Sequence, residues 1–135
     1  TKYYFEDIGI RNAVVDFRQV EFTHIMENMV YNELRKQGYT VDVGSVESFK
    51  RDENGKLQRR NLEIDFVVNR HDERLYIQSA YALPDKEKID QEQASLLNVK
   101  DGFRKVIIVG DRYYSNYNEE GIMMMSLFDF LLGTK

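Results

Sequence analysis

Between Asn61 and Tyr81 hydrophobic and polar positions alternate twice, on either side of a polar break at Asn69–Arg74. In the first run Leu62, Ile64, Phe66 and Val68 share one face, and Glu63, Asp65 and Val67 take the other. In the second, Leu75, Ile77 and Ser79 alternate with Tyr76, Gln78 and Ala80. This pattern predicts two adjacent antiparallel strands, central to a mixed sheet. Upstream the period changes to that of a helix. Phe22, Ile25, Met26, Met29, Val30 and Leu34 recur at helical spacing over Glu21–Gln37, with Thr23 as a cap and Gly38 as the stop. The helix is expected to cover one face of the sheet and bury Met26, Met29, Val30 and Leu34. Glu33 falls inside the apolar stripe and Glu27 at its edge. A carboxylate there needs a partner, because burying it alone costs several kcal/mol.

The flanking segments complete an α/β (α+β) pattern. Thr1–Gln19 opens with Tyr3, Tyr4 and Phe5, and Asp7 can cap a short helix carrying Ile8, Ile10, Val14 and Val15. Residues 1–20 therefore read as a connector, and 21–135 as the domain. Tyr39–Val43 alternates as a strand. Val46–Arg51 and the run from Leu57 form a hairpin around Asp52-Glu53-Asn54-Gly55, where Asn-Gly is a strong turn signal. Pro84 ends the strand before it, and Asp85 can cap a polar helix over Lys86–Asn98. Arg104–Gly110 is a short apolar run suited to a strand covered on both faces. Asp111–Glu120 reads as a loop, Ile122–Met125 as a last strand and Ser126–Leu132 as a closing helix.

Composition changes this picture in three places. A net charge of −4 argues against a generally basic nucleic-acid binder, although Lys50, Arg51, Lys56, Arg59 and Arg60 concentrate positive charge on the hairpin and could meet phosphates. The absence of cysteine excludes disulfides and thiolate metal sites and suits a reducing, cytoplasmic setting. No run reaches the roughly 20 apolar residues of a membrane span. The first residue is Thr and mid-domain sequence follows at once, which suggests a piece of a longer protein. No Walker loop, dinucleotide fingerprint or zinc-protease helix is present. His24 and His71 are far apart in sequence. Tyr113, Tyr114 and Tyr117 could stack on bases, though covering a core edge is the expected role.

One constellation remains. The order α-β-β-β-α-β from Glu21, with Glu27 on the first helix and Asp65 in the second strand, resembles the PD-(D/E)XK nuclease fold. The resemblance implies that Glu27 and Asp65 match the helix acid and the strand Asp, and that Gln78-Ser79-Ala80 stands where (D/E)-X-K would be. In that family carboxylates hold Mg²⁺ or Mn²⁺, and a lysine offsets the charge that develops on the phosphate. Here Gln78 supplies a neutral amide and Ala80 no charge at all. Lys88 and Lys100 are the candidates for a migrated lysine. The blocks YYFEDIGIRNA, HIMENMVYNELRKQGY, EIDFVV, YIQSAY, NVKDGFRKVIIV and SLFDFLL together resemble the DUF4143 domain, the C-terminal part of a family of bacterial and archaeal AAA-type ATPases. This implies a place beside the ATPase part of the same protein; the missing lysine and the net acidic charge then make a catalytically inactive interaction or regulatory module the expected role. The alternative is a divalent-metal-dependent nuclease acting on DNA or RNA, with Glu27, Asp65 and Gln78 as ligands. On the inactive reading, changing Gln78 to Glu and Ala80 to Lys together is expected to restore cleavage.

Overall fold

In the computed structural model, described for residues 8–112 and 114–133 with side chains from Val20 onward, six strands form one mixed sheet flanked by helices. The elements run α1 (Ile8–Lys36), β1 (Thr40–Arg51), β2 (Leu57–Arg70), β3 (Glu73–Ala80), α2 (Lys86–Leu97), β4 (Arg104–Val109), β5 (Asn116–Tyr117), β6 (Met123–Ser126) and α3 (Leu127–Leu132). The strands lie in the order β1-β2-β3-β4-β6-β5. Strands β1, β2 and β3 form an antiparallel meander. The crossover through α2 makes β4 parallel to β3, and β6 is parallel to β4.

Each face has its own core. Met26, Val30 and Leu34 of α1 pack with Phe66, Val68, Ile77, Val106, Ile108 and Met125, and Leu127 and Phe130 of α3 join them. On the other face Leu96 and Ile89 of α2 pack with Ile64, Tyr76, Ala80, Ile107, Val109 and Met124. The continuous apolar run of β4 is buried from both sides, as such a run requires.

Four sequence expectations change. The connector helix and the domain helix are one element, since α1 continues from Ile8 to Lys36 over about 43 Å. The aromatic run at Tyr3–Phe5 and the cap at Asp7 lie outside the described residues. The two strands expected over Tyr39–Arg51 are likewise one continuous β1. Met29 is not buried: 38% of it is exposed, together with Phe22 and Ile25. The apolar arc of α1 is wider than the sheet it covers, so only the Met26–Val30–Leu34 side is packed. Last, Tyr114 and Tyr117 face solvent instead of covering a core edge, and Tyr113 lies outside the described residues.

The C-terminus of α1 follows the expected design. Gly38 takes φ 92°, and the N–H of Tyr39 donates to the Leu34 carbonyl, closing the helix in a left-handed turn. Glu33 accepts from the Gln37 amide at 3.1 Å, which answers its need for a partner.

Because Val30 is fully buried and Met29 is not, aspartate at the two positions should separate cleanly. Val30→Asp buries an unpaired charge and should cost several kcal/mol of unfolding free energy. Met29→Asp should change the unfolding free energy by less than about 0.5 kcal/mol, as for an exposed site. Equal losses in urea denaturation would show that the helix is rotated from this placement.

Candidate functional site

The site begins with an irregularity in β2. Asp42 pairs with Val67 while Gly44 pairs with Ile64, so β2 fits one residue more than β1 between those two pairs. This bulge breaks the simple alternation read from the sequence. Ile64 and Val67 now face α2, whereas Phe66 and Val68 face α1. Gly44 is the position that permits it. A Cβ there would lie 2.5 Å from Val67 Cγ2 and 3.2 Å from Ile64 Cβ, so the two side chains brought to one face occupy the space of the missing one.

The pairing between β2 and β3 ends at the same place, and its last matched pair is Phe66 with Ile77. Beyond it the strands diverge, and side chains continue the seam. The backbone N–H of Asp65 donates to Gln78 Oε1 at 2.7 Å, and the N–H of Ser79 donates to Asp65 Oδ2 at 2.9 Å. The Ser79 hydroxyl donates weakly to the same oxygen at 3.4 Å. The Gln78 amide nitrogen reaches α2, where it donates to Ser95 Oγ at 3.1 Å and to the Glu92 carbonyl at 3.2 Å. Gln78, Ser79 and Ser95 are all buried, and no buried side-chain polar atom among the described residues lacks a partner.

Of the residues expected to form a metal site, two are brought together. Glu27 on α1 and Asp65 line one open cleft with Glu63, Val43 and Tyr31. Partial burial raises the Glu27 pKa above the ordinary carboxylate value, and the charge of Asp65 raises it further. Asp65 is raised too, chiefly by burial, although its hydrogen bonds from Ser79 oppose the shift and Glu63 adds to it. His24 sits 4.0 Å from Glu27 on the exposed side of α1, and His71 occupies the β2–β3 turn.

Gln78 and Ala80 do not join that pair. The Gln78 side chain crosses to the α2 face, and Ala80 is buried beside Leu83 and Ile107 on the same face. Lys100 follows α2 at the far end of the sheet from Ala80, beside the start of β4. Lys88 lies nearer. It lines a cleft of about 750 Å³ with Ser79 and Ala80, and its Nζ is 3.1 Å from Glu92 Oε1.

Mg²⁺ or Mn²⁺ fits this donor set poorly. No three His, Asp or Glu side chains converge among the described residues. One Asp65 oxygen already accepts from Ser79, and the Gln78 oxygen accepts from Asp65. The bonding of Gln78 was the part that sequence reasoning missed. Its one available signal was an amide at a strand position facing a polar helix, with Gln93 and Ser95 at buried positions.

The basic cluster is divided between the two faces of the hairpin. Residues paired directly across β1 and β2 share a face, so Arg51 and Arg59 lie with Phe49 and Leu57, while Lys50 and Arg60 lie on the opposite face. Arg59 Nη1 is 3.5 Å from Glu47, and Arg51 donates to the Gly55 carbonyl at 2.8 Å.

An uncharacterized protein of Haemophilus influenzae is 33% identical to this chain over 131 residues. The match covers 97% of this chain and 28% of that protein, so the chain spans little more than a quarter of the relative's length. No protein-family model and no solved structure matches. No helix among the described residues is long and apolar enough to cross a membrane.

Two predictions follow from the seam. Folded-state pKa values raised above their unfolded values mean that Asp65 and Glu27 favour folding in their protonated forms. That contribution is complete below the unfolded carboxylate pKa of about 4 and is lost as pH rises through the raised folded value. Asp65→Asn keeps an acceptor for Ser79 and removes the charge. It should melt above the parent at pH 7 and with it near pH 4; a variant less stable than the parent at pH 7 would contradict the assignment. Separately, Ala80→Lys should destabilise the chain without restoring an active site, because Ala80 is buried against the α2-face core and a long cationic side chain there must displace its neighbours to reach the cleft. The double change with Gln78→Glu adds a carboxylate beside the Glu92 carbonyl, so it should fare no better by circular dichroism.

Proposed function

We propose that the chain is a nuclease-like domain of the PD-(D/E)XK kind that no longer cuts, and that it serves as an interaction or regulatory module of a larger cytoplasmic protein. The observation that carries this reading is the commitment of Asp65 and Gln78 to the seam between β2 and β3. Side chains that close a backbone ladder are poorly disposed to hold a metal. Ala80 leaves no cation to offset charge on an attacked phosphate, a loss of roughly 10²–10³-fold in rate where one such group is removed.

Support for the fold comes from the meander β1–β2–β3 followed by the α2 crossover to β4, with α1 ahead of them. Support for a larger protein comes from the relative, of which the chain spans 28%. The DUF4143 resemblance makes an AAA-type ATPase the expected remainder, and nucleotide binding would belong to that remainder.

A second reading, a metal-dependent nuclease, draws on one observation. Lys88 shares a cleft with Ser79, whose N–H and hydroxyl hold Asp65. One assay separates the two. The 135-residue chain, incubated with single- and double-stranded DNA and RNA in Mn²⁺ or Mg²⁺, should cut nothing above background. Cutting that disappears in both Asp65→Ala and Lys88→Ala would overturn the inactive reading and establish the nuclease.

A further inference from the structure

The outer part of the β1–β2 hairpin is built more firmly than its place in the fold requires. Pairing of β2 with β3 stops at Phe66, so the six pairs from Val46–Leu62 to Arg51–Leu57 form a ribbon with both edges free, about 20 Å long. Two-stranded ribbons are marginal by themselves. This one is fastened at its tip. Asp52 Oδ1 accepts from the N–H groups of Asn54 and Lys56, and Oδ2 accepts from the Gln58 amide. The Asp52 N–H donates to the Lys56 carbonyl at 2.9 Å, and Gly55 turns at φ 78°. These bonds hold the Asp52 carboxyl below the usual range, so it remains charged and engaged.

Beyond its root, where Val46 packs against the α2-side core, the ribbon's two faces are in solvent, and they differ. One carries Phe49 directly opposite Arg59, with Arg51 opposite Leu57 beside them. Phe49 is 58% exposed and Leu57 55%. The other face carries Lys50 and Arg60, which pair with no acid among the described residues, and Lys56 stands at the tip. From Val46 to Leu62 the chain holds five Lys or Arg and three Asp or Glu, a net of +2 in a protein of net −4. Of the three acids, Asp52 is engaged in the turn and Glu47 is paired with Arg59.

We infer that this ribbon is a binding arm for single-stranded nucleic acid: an unstacked base lies on the Phe49 ring, and the phosphates on either side meet Arg51 and Arg59. An exposed aromatic between two guanidinium groups suits a base face and its backbone, and does so without sequence preference. In a duplex the bases are stacked on each other, and Phe49 would gain nothing from their edges. The ligand stops short of the ribbon's root, where Glu27, Glu63 and Asp65 form an acidic wall. Lys50, Lys56 and Arg60 add attraction that depends on salt and not on stacking. The inference names a partner for the module proposed above and rests on that reading only in needing no cleavage.

The test is fluorescence anisotropy of the 135-residue chain with a labelled 12-mer single strand of mixed sequence and its duplex, in EDTA at low salt. The single strand should bind more tightly than the duplex. Phe49→Ala should weaken it about tenfold with the salt slope unchanged, as for loss of one stacked base. Arg59→Ala, on the same face, should flatten the salt slope by about one phosphate contact. Both sites are exposed, and unchanged circular dichroism confirms the fold of each variant. Absence of binding, preference for the duplex, or a Phe49→Ala variant that binds like the parent would each overturn the inference. Competition by polyglutamate as effective as by unlabelled single strand would overturn it in favour of an acidic protein partner. These outcomes are separate from the cleavage assay. A chain that cuts but binds through Phe49 refutes only the inactive reading, and one that neither cuts nor binds refutes only the arm.

Discussion

The seam between β2 and β3 is the constraint on which the rest depends. Two strands that part inside a sheet expose backbone N–H groups, and leaving such a group buried without a partner costs about 1–3 kcal/mol. This protein fills the gap with side chains. Gln78 accepts from Asp65, Asp65 accepts from Ser79, and Gln78 then ties the seam to Ser95 and Glu92 of α2. A glutamine suits this place better than a glutamate. It accepts on one side and donates on the other, which an ionised carboxylate cannot do.

Other features accompany the parting of the strands. The β2 bulge turns Asp65 away from the run of Ile64 and Val67, and Gly44 makes room for those two. Asp65 is left half-buried near Glu27 with its charge opposed by burial, a cost the seam's hydrogen bonds reduce without removing. Past the parting, β2 has only β1 for a partner. The hairpin therefore leaves the body of the protein as a ribbon, free to carry exposed Phe49 and its flanking arginines.

Much of this was legible in the chain. The alternation at Leu75–Ala80, the helix ending at Gly38, the Asn-Gly turn and the Asp85 cap all follow from local rules, and the elements stand where those rules put them. The bulge was not legible. It depends on the room that Gly44 leaves across the strand for Ile64 and Val67, and period-two reasoning on β2 alone assigns Ile64 to the wrong face. Met29 was misjudged for a related reason. A helical wheel gives the width of an apolar arc but not how much of it the sheet covers. For the site, the sequence could bring Glu27 and Asp65 to neighbouring elements. It could not reveal that Gln78 turns to α2, since that depends on Ser95 and Glu92 fourteen and more residues away.

On the proposed reading Asp65, Ser79 and Gln78 hold the fold together and do not hold a metal. Titration of the ¹⁵N-labelled chain with Mn²⁺, followed by amide signals in two-dimensional NMR, tests it most directly, since Mn²⁺ broadens only the signals of residues near its binding site. The amides of Asp65 and Ser79 should keep their intensities at millimolar Mn²⁺, and both should exchange with solvent as slowly as the paired amides of β4. Selective broadening of Asp65 and Ser79 ahead of the exposed acids Glu53 and Glu87 would contradict the claim.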